Sequence, residues 1–213
     1  MNEKNYGELL PIIKKYFESP VKTGFSIDKL SQGSINETYK VIVEKKPYIL
    51  QKLSKIFTKD VNEDMAQVTD YLNLNNIKSP HLLETKKGKK YVIEQDQIYR
   101  MYPFVYGETP EKFQLSNNHL RTLGNYLAEL HKSLKNLDYE PKHIIENFHN
   151  TEHYITKIKL MLNKFEDKQD IECINAMIET YEKLDKSFLE EKQLIHGDPR
   201  IENILYDKKF NEF

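Results

Sequence analysis

The sequence has a single cysteine, no signal-peptide pattern at its start and no long apolar run. Because Cys173 has no partner within the chain, a disulfide framework of the kind that stabilises small secreted proteins is excluded. No apolar stretch approaches the ~18 residues that a membrane-spanning helix requires. We therefore expect a cytoplasmic protein that does not associate with membranes.

An excess of charge is also missing, since 32 basic residues are balanced by 33 acidic ones, for a net charge of −1. Such a chain has no overall field that would attract nucleic acid, and any phosphate-binding site must be local. The basic run at residues 86–90 contains no aromatic residue, so we expect a solvated hairpin tip there and no nucleic-acid site. Hydrophobic residues make up 38% of the chain, enough for the core of one or two domains.

The most informative stretch is a polar loop near the end of the chain. Its sequence, from 194 to 206, is Leu-Ile-His-Gly-Asp-Pro-Arg-Ile-Glu-Asn-Ile-Leu-Tyr. The apolar residues at 194–195 and 204–206 predict two buried strands that hold the loop between them. Catalytic loops are commonly mounted in this way on a rigid scaffold.

Within the loop, Asp198 and Asn203 fit the pattern H-x-D-x-x-x-x-N. In kinases this spacing brings together an Asp that accepts the proton of the substrate hydroxyl and an Asn that binds magnesium. Arg200 adds a cation where negative charge would develop in the transition state. The alternative is a polar turn in which Asp198 and Asn203 only cap backbone groups.

Hydrophobic periodicity predicts the order of the secondary structure along the chain. Strands are predicted at residues 25–30, 35–43, 48–53, 82–84, 91–93 and 98–102, and helices at 6–17, 60–74, 116–137, 151–165 and 171–188. The buried face of the second helix is expected to contain Val61, Met65, Val68, Tyr71 and Leu72, and that of the third Leu120, Leu123, Leu127, Leu130 and Leu134. Strands therefore dominate the first hundred residues and helices the remainder.

Two histidines four residues apart, His149 and His153, could share one face of a helix and bind a metal. Asn150 stands where a zinc-binding H-E-x-x-H helix carries Glu, and no third ligand is evident. We therefore expect helix capping and surface packing at this position.

The loop His196-Gly197-Asp198 with Asn203 and Leu205 resembles the aminoglycoside phosphotransferase and choline kinase family of small-molecule kinases. Gly197 stands where protein kinases carry Arg. The stretches at residues 32–39, 48–52 and 102–104 are similar to N-acetylhexosamine 1-kinase-like members. The resemblance extends over roughly residues 20 to 210.

This resemblance implies an α+β, protein kinase-like bilobal fold. Residues 1–102 would form an N-terminal helix and an antiparallel, nucleotide-binding sheet, and residues 103–213 a mostly helical, incomplete C-terminal lobe. It further implies ATP and Mg²⁺ as cofactors and transfer of the γ-phosphate to a hydroxyl of a small molecule. A sugar or amino sugar is the acceptor suggested, with aminoglycoside, choline or homoserine-like acceptors left open.

The resemblance also assigns residues to the site. Asp198 and Arg200 would be catalytic and Asn203 a metal ligand. A glycine-containing turn with Gly33, Ser34 and Asn36 would cover the phosphates. A plain hairpin turn with no ligand would have the same kind of sequence. Backbone groups near Met101 and Tyr102 would bind adenine in the crevice between the lobes.

The third strand departs from the pattern, because kinases place there a Lys that binds phosphate and pairs with a Glu of the next helix. This sequence has Gln51 followed by Lys52. Either Lys52 takes the role through a shift in register, or Gln51 contacts phosphate as a neutral donor. Lys52 could equally be a solvated strand lysine, and Glu63 is the only glutamate of the predicted second helix that could pair with it.

The sequence ends at Phe213, whereas family members continue into a strand with a second, metal-binding Asp. On this basis we expect a truncated chain. The alternative function is therefore a catalytically silent nucleotide-binding or interaction module that retains the loop sequence.

Overall fold

A computed structural model describes residues 7–18, 24–30, 35–109, 115–187, 193–200 and 203–207. Five strands form one antiparallel sheet in the order β1-β2-β3-β5-β4. They are β1 (Ser26–Leu30), β2 (Glu37–Val43), β3 (Lys46–Lys52), β4 (Tyr91–Glu94) and β5 (Gln97–Pro103). Residues 82–84 do not form the strand predicted for them. Leu83 makes one backbone hydrogen bond, to the carbonyl of Met101 at 2.8 Å, and a single bond is not a ladder.

The helices are α1 (Leu10–Ile13), α2 (Asp60–Leu74), α3 (Asn117–Leu134), α4 (Thr151–Met161) and α5 (Lys168–Lys183), with a 3₁₀ turn at Leu162–Lys164. Side-chain caps fix where the last three begin. Ser116 and His119 form a reciprocal capping box on α3, and Asp167 caps α5. Asn150 caps α4 by accepting from the backbone N–H of His153 at 3.0 Å, so helix capping is confirmed here.

The main core lies between α1 and one face of the sheet. Strand alternation places the apolar residues of β2, β3 and β5 on this face, where they pack against the helix. The fully buried members of the core include Leu9, Ile12 and Ile13 of the α1 region, Val41, Leu50 and Met101. The packing fixes which strand residues point toward α1 and, by alternation, which point away.

The α2 helix has the predicted bounds, but its buried face is rotated from the one expected. Asn62, Ala66, Thr69 and Leu72 are buried, whereas the other four apolar residues predicted for this face are only partly buried. Asn62 and Thr69 satisfy part of their polarity by donating to backbone carbonyls of the same chain segment. Small and polar residues can therefore occupy the packed side, which a pattern of apolar residues does not reveal.

The α3 helix is buried only toward its C-terminal end, where Leu130 and Leu134 pack with Leu72 of α2. Leu120, near its start, has 51% of its surface exposed. The predicted spine of five buried leucines is thus only partly correct, because α2 covers one end of α3.

Glu63 of α2 does not pair with a strand lysine, contrary to our expectation. Its carboxylate binds Lys142 at 2.8 Å on the surface. The adjacent Asp64 accepts hydrogen bonds from the Tyr139 hydroxyl and from the backbone N–H groups of Lys142 and His143. These contacts bind the segment that follows α3 to α2.

The chain forms two compact units, one of Met1–His143 with Leu194–Phe213 and one of Ile144–Gln193. The second unit contains α4 and α5, with Ile155 and Ile178 buried. The lobe boundary at residues 102–103 stays a prediction, although β5 does end at Pro103. In the part of the chain that is described, no helix is long and apolar enough to cross a membrane.

Candidate functional site

The loop predicted to be catalytic is anchored on its C-terminal side. Tyr206 and Glu108 exchange two backbone hydrogen bonds, with N···O distances of 2.9 and 3.0 Å. Ile204 and Tyr206 are buried, and the Tyr206 ring meets the edge of His119 with centroids 4.8 Å apart. These contacts fix the backbone immediately after Asn203.

The N-terminal side of the loop differs from the prediction. Residues 194 and 195 form no strand, and Ile195 has 60% of its surface exposed. The backbone N–H of His196 instead donates to Nε2 of His131 on α3, at 3.4 Å. The loop is therefore held by one strand-like bridge and by side-chain contacts, and the expectation of two flanking buried strands is wrong.

Three polar side chains of the loop converge as the pattern predicted. Asn203 Nδ2 donates to Asp198 Oδ2 at 2.7 Å and to the Asp198 carbonyl at 3.1 Å. Arg200 Nε donates to Asp198 Oδ1 at 3.0 Å. Both oxygens of the Asp198 carboxylate thus accept hydrogen bonds within the loop, and the group is fixed in orientation.

A tight bend places Asp198. Gly197 has φ +78°, in the left-handed region that favours glycine, and an added Cβ would meet nothing within 4 Å. The backbone N–H of Asp198 donates to Nδ1 of His196 at 3.3 Å. Glycine is thus required here by backbone conformation and not by lack of space.

The strand residues predicted to bind phosphate lie on opposite faces of the sheet. Lys52 lies on the face that packs on α1, with Nζ 3.3 Å from Glu37 Oε1. Glu37 also accepts from Lys29 at 2.6 Å and from the Tyr39 hydroxyl at 2.9 Å. The hydrogen bond from Lys29 is the main reason that the pKa of Glu37 falls to about 2, with smaller contributions from Tyr39 and Lys52.

Gln51 lies on the other face, beside residues of β2 and β5. Its Oε1 accepts from Arg100 Nε at 2.9 Å, and its Nε2 lies 3.5 Å from Thr38 Oγ1. The pairing of Arg100 with Gln51 was not predicted from the sequence, because the β3–β5 register that brings them together connects residues far apart in the chain.

The remaining predicted residues are dispersed. Asn36 Oδ1 accepts from the backbone N–H of Ser54 at 2.9 Å, which connects the start of β2 to the residues after β3. Met101 is fully buried in the α1 core, and Tyr102 is partly buried beside Arg100. Gly33 and Ser34 lie outside the described residues. The roles of these positions in nucleotide binding stay predictions.

A cavity of about 470 Å³ adjoins the loop. Its walls are mostly apolar and come from α2, α3 and the segment after β5, and His196 and Asn203 form part of its polar edge. Val105 and Tyr106 line the cavity, whereas Met101 and Tyr102 are not among the described residues that do so. A mostly apolar pocket with a few convergent polar groups is the usual form of a small-molecule site.

The arrangement suits a hard divalent cation. Asp198 has carboxylate oxygens and Asn203 an amide oxygen, the two side chains are hydrogen-bonded to each other, and such oxygens are the ligands that Mg²⁺ prefers. Among the described residues, no group of three or more His, Cys, Asp or Glu side chains is arranged so that it could hold a metal ion. A metal held here would therefore depend on few protein ligands and on phosphate oxygens, as Mg²⁺ in nucleotide sites does.

Comparison with solved structures shows the same fold in several small-molecule kinases. An amicoumacin kinase in complex with AMP-PNP and Ca²⁺ is 14% identical, with a TM-score of 0.59. A microcompartment-associated aminopropanol kinase is 17% identical, with a TM-score of 0.62, and an ethanolamine kinase of Plasmodium vivax is 15% identical, with a TM-score of 0.55. The matches include 85%, 96% and 99% of this chain, respectively, and at these identities they establish the fold.

The chain spans 55%, 65% and 61% of the length of those three proteins. No curated protein sequence matches it significantly. A sequence profile of the phosphotransferase enzyme family matches residues 26–213, which include the whole sheet and the loop with Asp198 and Asn203. The chain belongs to the phosphotransferase enzyme family, as its loop sequence indicated.

Proposed function

We propose that this chain provides the ATP site and catalytic loop of a kinase that phosphorylates a hydroxyl group of a small molecule. The observation that carries the proposal is the hydrogen-bonded group of Asp198, Asn203 and Arg200 in a family of phosphotransferases. We further propose that the reaction takes place in the cytoplasm, where ATP is plentiful.

In this reaction the acceptor oxygen attacks the γ-phosphorus of ATP. The bond from that phosphorus to the oxygen bridging to the β-phosphate breaks, and ADP leaves. The proton of the hydroxyl passes to the Asp198 carboxylate. Each carboxylate oxygen retains a lone pair beyond its present hydrogen bond, so Asp198 can accept that proton while Asn203 and Arg200 hold it in place.

We assign Arg200 a second role, since its side chain is 64% exposed and its hydrogen bond to Asp198 uses only Nε. Its terminal N–H groups can therefore reach the equatorial oxygens of the transferred phosphoryl group, where negative charge is concentrated. The amide oxygen of Asn203 would be a ligand of Mg²⁺, which would neutralise phosphate charge when bound. An exposed loop requires the bound substrates themselves to exclude water.

A sugar or amino sugar is the acceptor we propose. The support is the similarity of residues 32–39, 48–52 and 102–104 to N-acetylhexosamine 1-kinase-like sequences. The names of two structural relatives, an aminopropanol kinase and an ethanolamine kinase, describe acceptors that carry an amino group and a hydroxyl. An amino sugar combines the same two groups.

A second candidate is a catalytically silent nucleotide-binding module. Its support is that β3 has the neutral Gln51 beside a Lys52 that is ion-paired with Glu37, whereas kinases carry a phosphate-binding lysine on this strand. Such a module would bind ATP and fail to transfer its phosphate.

Asp198→Asn separates the two candidates. For a kinase we expect phosphoryl transfer to fall roughly 100-fold or more, with little change in ATP affinity, because the variant loses the proton acceptor and retains the shape of the loop. Phosphorus NMR with ATP, Mg²⁺ and a panel of N-acetylhexosamines, amino alcohols and aminoglycosides would follow ADP and phosphomonoester formation. ATP affinity would be measured by calorimetry.

Asp70→Asn provides the matched control, because Asp70 is an exposed carboxylate on α2. It should leave turnover unchanged. ATP binding by the wild-type chain without turnover of any acceptor would favour the silent module. Equal turnover by Asp198→Asn and the wild type would contradict the catalytic role of the loop.

A further inference from the structure

On the α1 face of the sheet, the lysines beside Glu37 are already ion-paired. Lys52, the lysine nearest to the kinase position, is bound to Glu37, as is Lys29. Burial acts to lower the pKa of Lys52, but the hydrogen bond and charge of Glu37 outweigh it and raise that pKa. A lysine held in this way on the face that packs on α1 is a poor candidate for binding phosphate.

The other face has a row of side chains that crosses all five strands. Leu30, Thr38, Gln51, Arg100 and Tyr91 are register partners from β1, β2, β3, β5 and β4, respectively. Leu30 and Thr38 are the last pair of the β1–β2 hairpin, so the row lies at that end of the sheet. Gln51 occupies its centre, and the only charged member is Arg100.

The hydrogen bonds of this row orient the guanidinium of Arg100. Nε is fixed on Gln51 Oε1, and Gln51 in turn is near the Thr38 hydroxyl. The two terminal nitrogens make no hydrogen bond to any described residue. They carry four N–H donors in a planar fork that suits phosphate oxygens.

Arg100 also has no counter-charge among the described residues. In the described part of the chain, no carboxylate forms an ion pair with it, and its neighbours across and along the strands are Gln51, Tyr91, Ile98 and Tyr102. Burial lowers its pKa, which reflects the cost of holding the cation away from water. An anion that docks on the terminal nitrogens would offset that cost.

We propose that Arg100 of β5 is the cation that binds the phosphates of the nucleotide, and that Gln51 is the residue that positions it. The inference rests on the proposed function and adds to it a phosphate-binding group that β3 lacks. The role usually given to a lysine of the third strand is thereby transferred to the adjacent strand, at the same level of the sheet.

The test measures ATP and adenosine binding by calorimetry for the wild-type chain and for Arg100→Gln. We expect the variant to bind ATP roughly 10- to 100-fold more weakly, because a charged hydrogen-bonded contact is lost, and adenosine equally well. In the double variant Gln51→Lys/Arg100→Gln, a cation returns to the same row, so ATP affinity should recover. Lys52→Gln is the matched control and should leave ATP affinity unchanged.

Two further variants preserve the test if Arg100→Gln does not fold. Gln51→Leu leaves the arginine in place but removes its hydrogen-bond partner, and Arg100→Lys keeps the charge but not the fork. Each variant should lower the affinity for ATP several-fold and leave adenosine binding unchanged. A merely structural role would alter both ligands together.

The outcomes distinguish the inference from the proposed function. If the Arg100 and Gln51 variants bind ATP as tightly as the wild type, the inference is overturned and the kinase proposal stays intact. The same holds if the control Lys52→Gln loses ATP affinity. Failure of the wild-type chain to bind ATP at all would overturn both.

Discussion

The two faces of the sheet differ in whether their charged side chains have partners of opposite charge. On the α1 face, Glu37 binds both Lys29 and Lys52, so every charge in the group has a partner. On the other face, Arg100 is fixed by the neutral Gln51 and has no carboxylate partner among the described residues. Charges that serve stability are paired within the chain, whereas a cation left unpaired is available for a ligand.

The strongest test of this difference compares adjacent residues of β3. Leu50→Ala should lower the free energy of unfolding by about 2–5 kcal/mol, because Leu50 is fully buried in the α1 core. Gln51→Ala should cost about 1 kcal/mol, since it removes the hydrogen bond with Arg100. Urea denaturation measures both, and equal losses would show that the second face is also a structural core.

Glu37→Gln should have a smaller effect, and one that depends on pH. Because the folded-state pKa of Glu37, about 2, lies below its ordinary value of 4.5, its contribution to stability is present above pH 4.5 and is lost as the pH falls toward 2. We expect a loss of about 1 kcal/mol or less at pH 7, since the side chain is 42% exposed and solvent screens the ion pairs.

The measurement is urea unfolding of Glu37→Gln and wild type at pH 7 and pH 2.5. The difference between the two proteins should shrink at the lower pH. Glu129→Gln is the control, as Glu129 is exposed on α3, and it should behave as wild type at both values. A difference of the same size at both pH values would exclude the charge of Glu37 as its cause.

The smallest effect is expected for Lys52→Met. Glu37 keeps Lys29 as a partner, so the free energy of unfolding should fall by only a few tenths of a kcal/mol, and less in 1 M salt. ATP affinity should not change. A large loss of stability would mean that Lys52, and not Lys29, is the main partner of Glu37.

Local patterns predicted most of this fold. Strand patterns located five of the six strands predicted in the first hundred or so residues, and helical periodicity gave the bounds of α2. Periodicity misplaced the buried face of α2 because Asn62 and Thr69 occupy packed positions. The loop of Asp198 and Asn203 was predictable because its chemistry is contained in six consecutive residues.

The other features that were missed depend on contacts between distant parts of the chain. The pairing of Gln51 with Arg100 follows from the β3–β5 register, and the anchoring of the loop follows from the pairing of Tyr206 with Glu108. Residues 194 and 195 form no strand, and this side of the loop is held by the contact of His196 with His131 of α3, 65 residues away. A local pattern contains no information on register between strands that are far apart in sequence.

The pairing of Tyr206 with Glu108 has a consequence for how the protein folds. The two residues are about a hundred positions apart, so closing this contact carries a large entropic cost compared with the short hairpins of the sheet. Hairpins close in microseconds, and distant contacts form later. The β1–β2–β3 and β4–β5 hairpins should therefore form first, the pairing of β3 with β5 across about fifty residues next, and the contact between Tyr206 and Glu108 last.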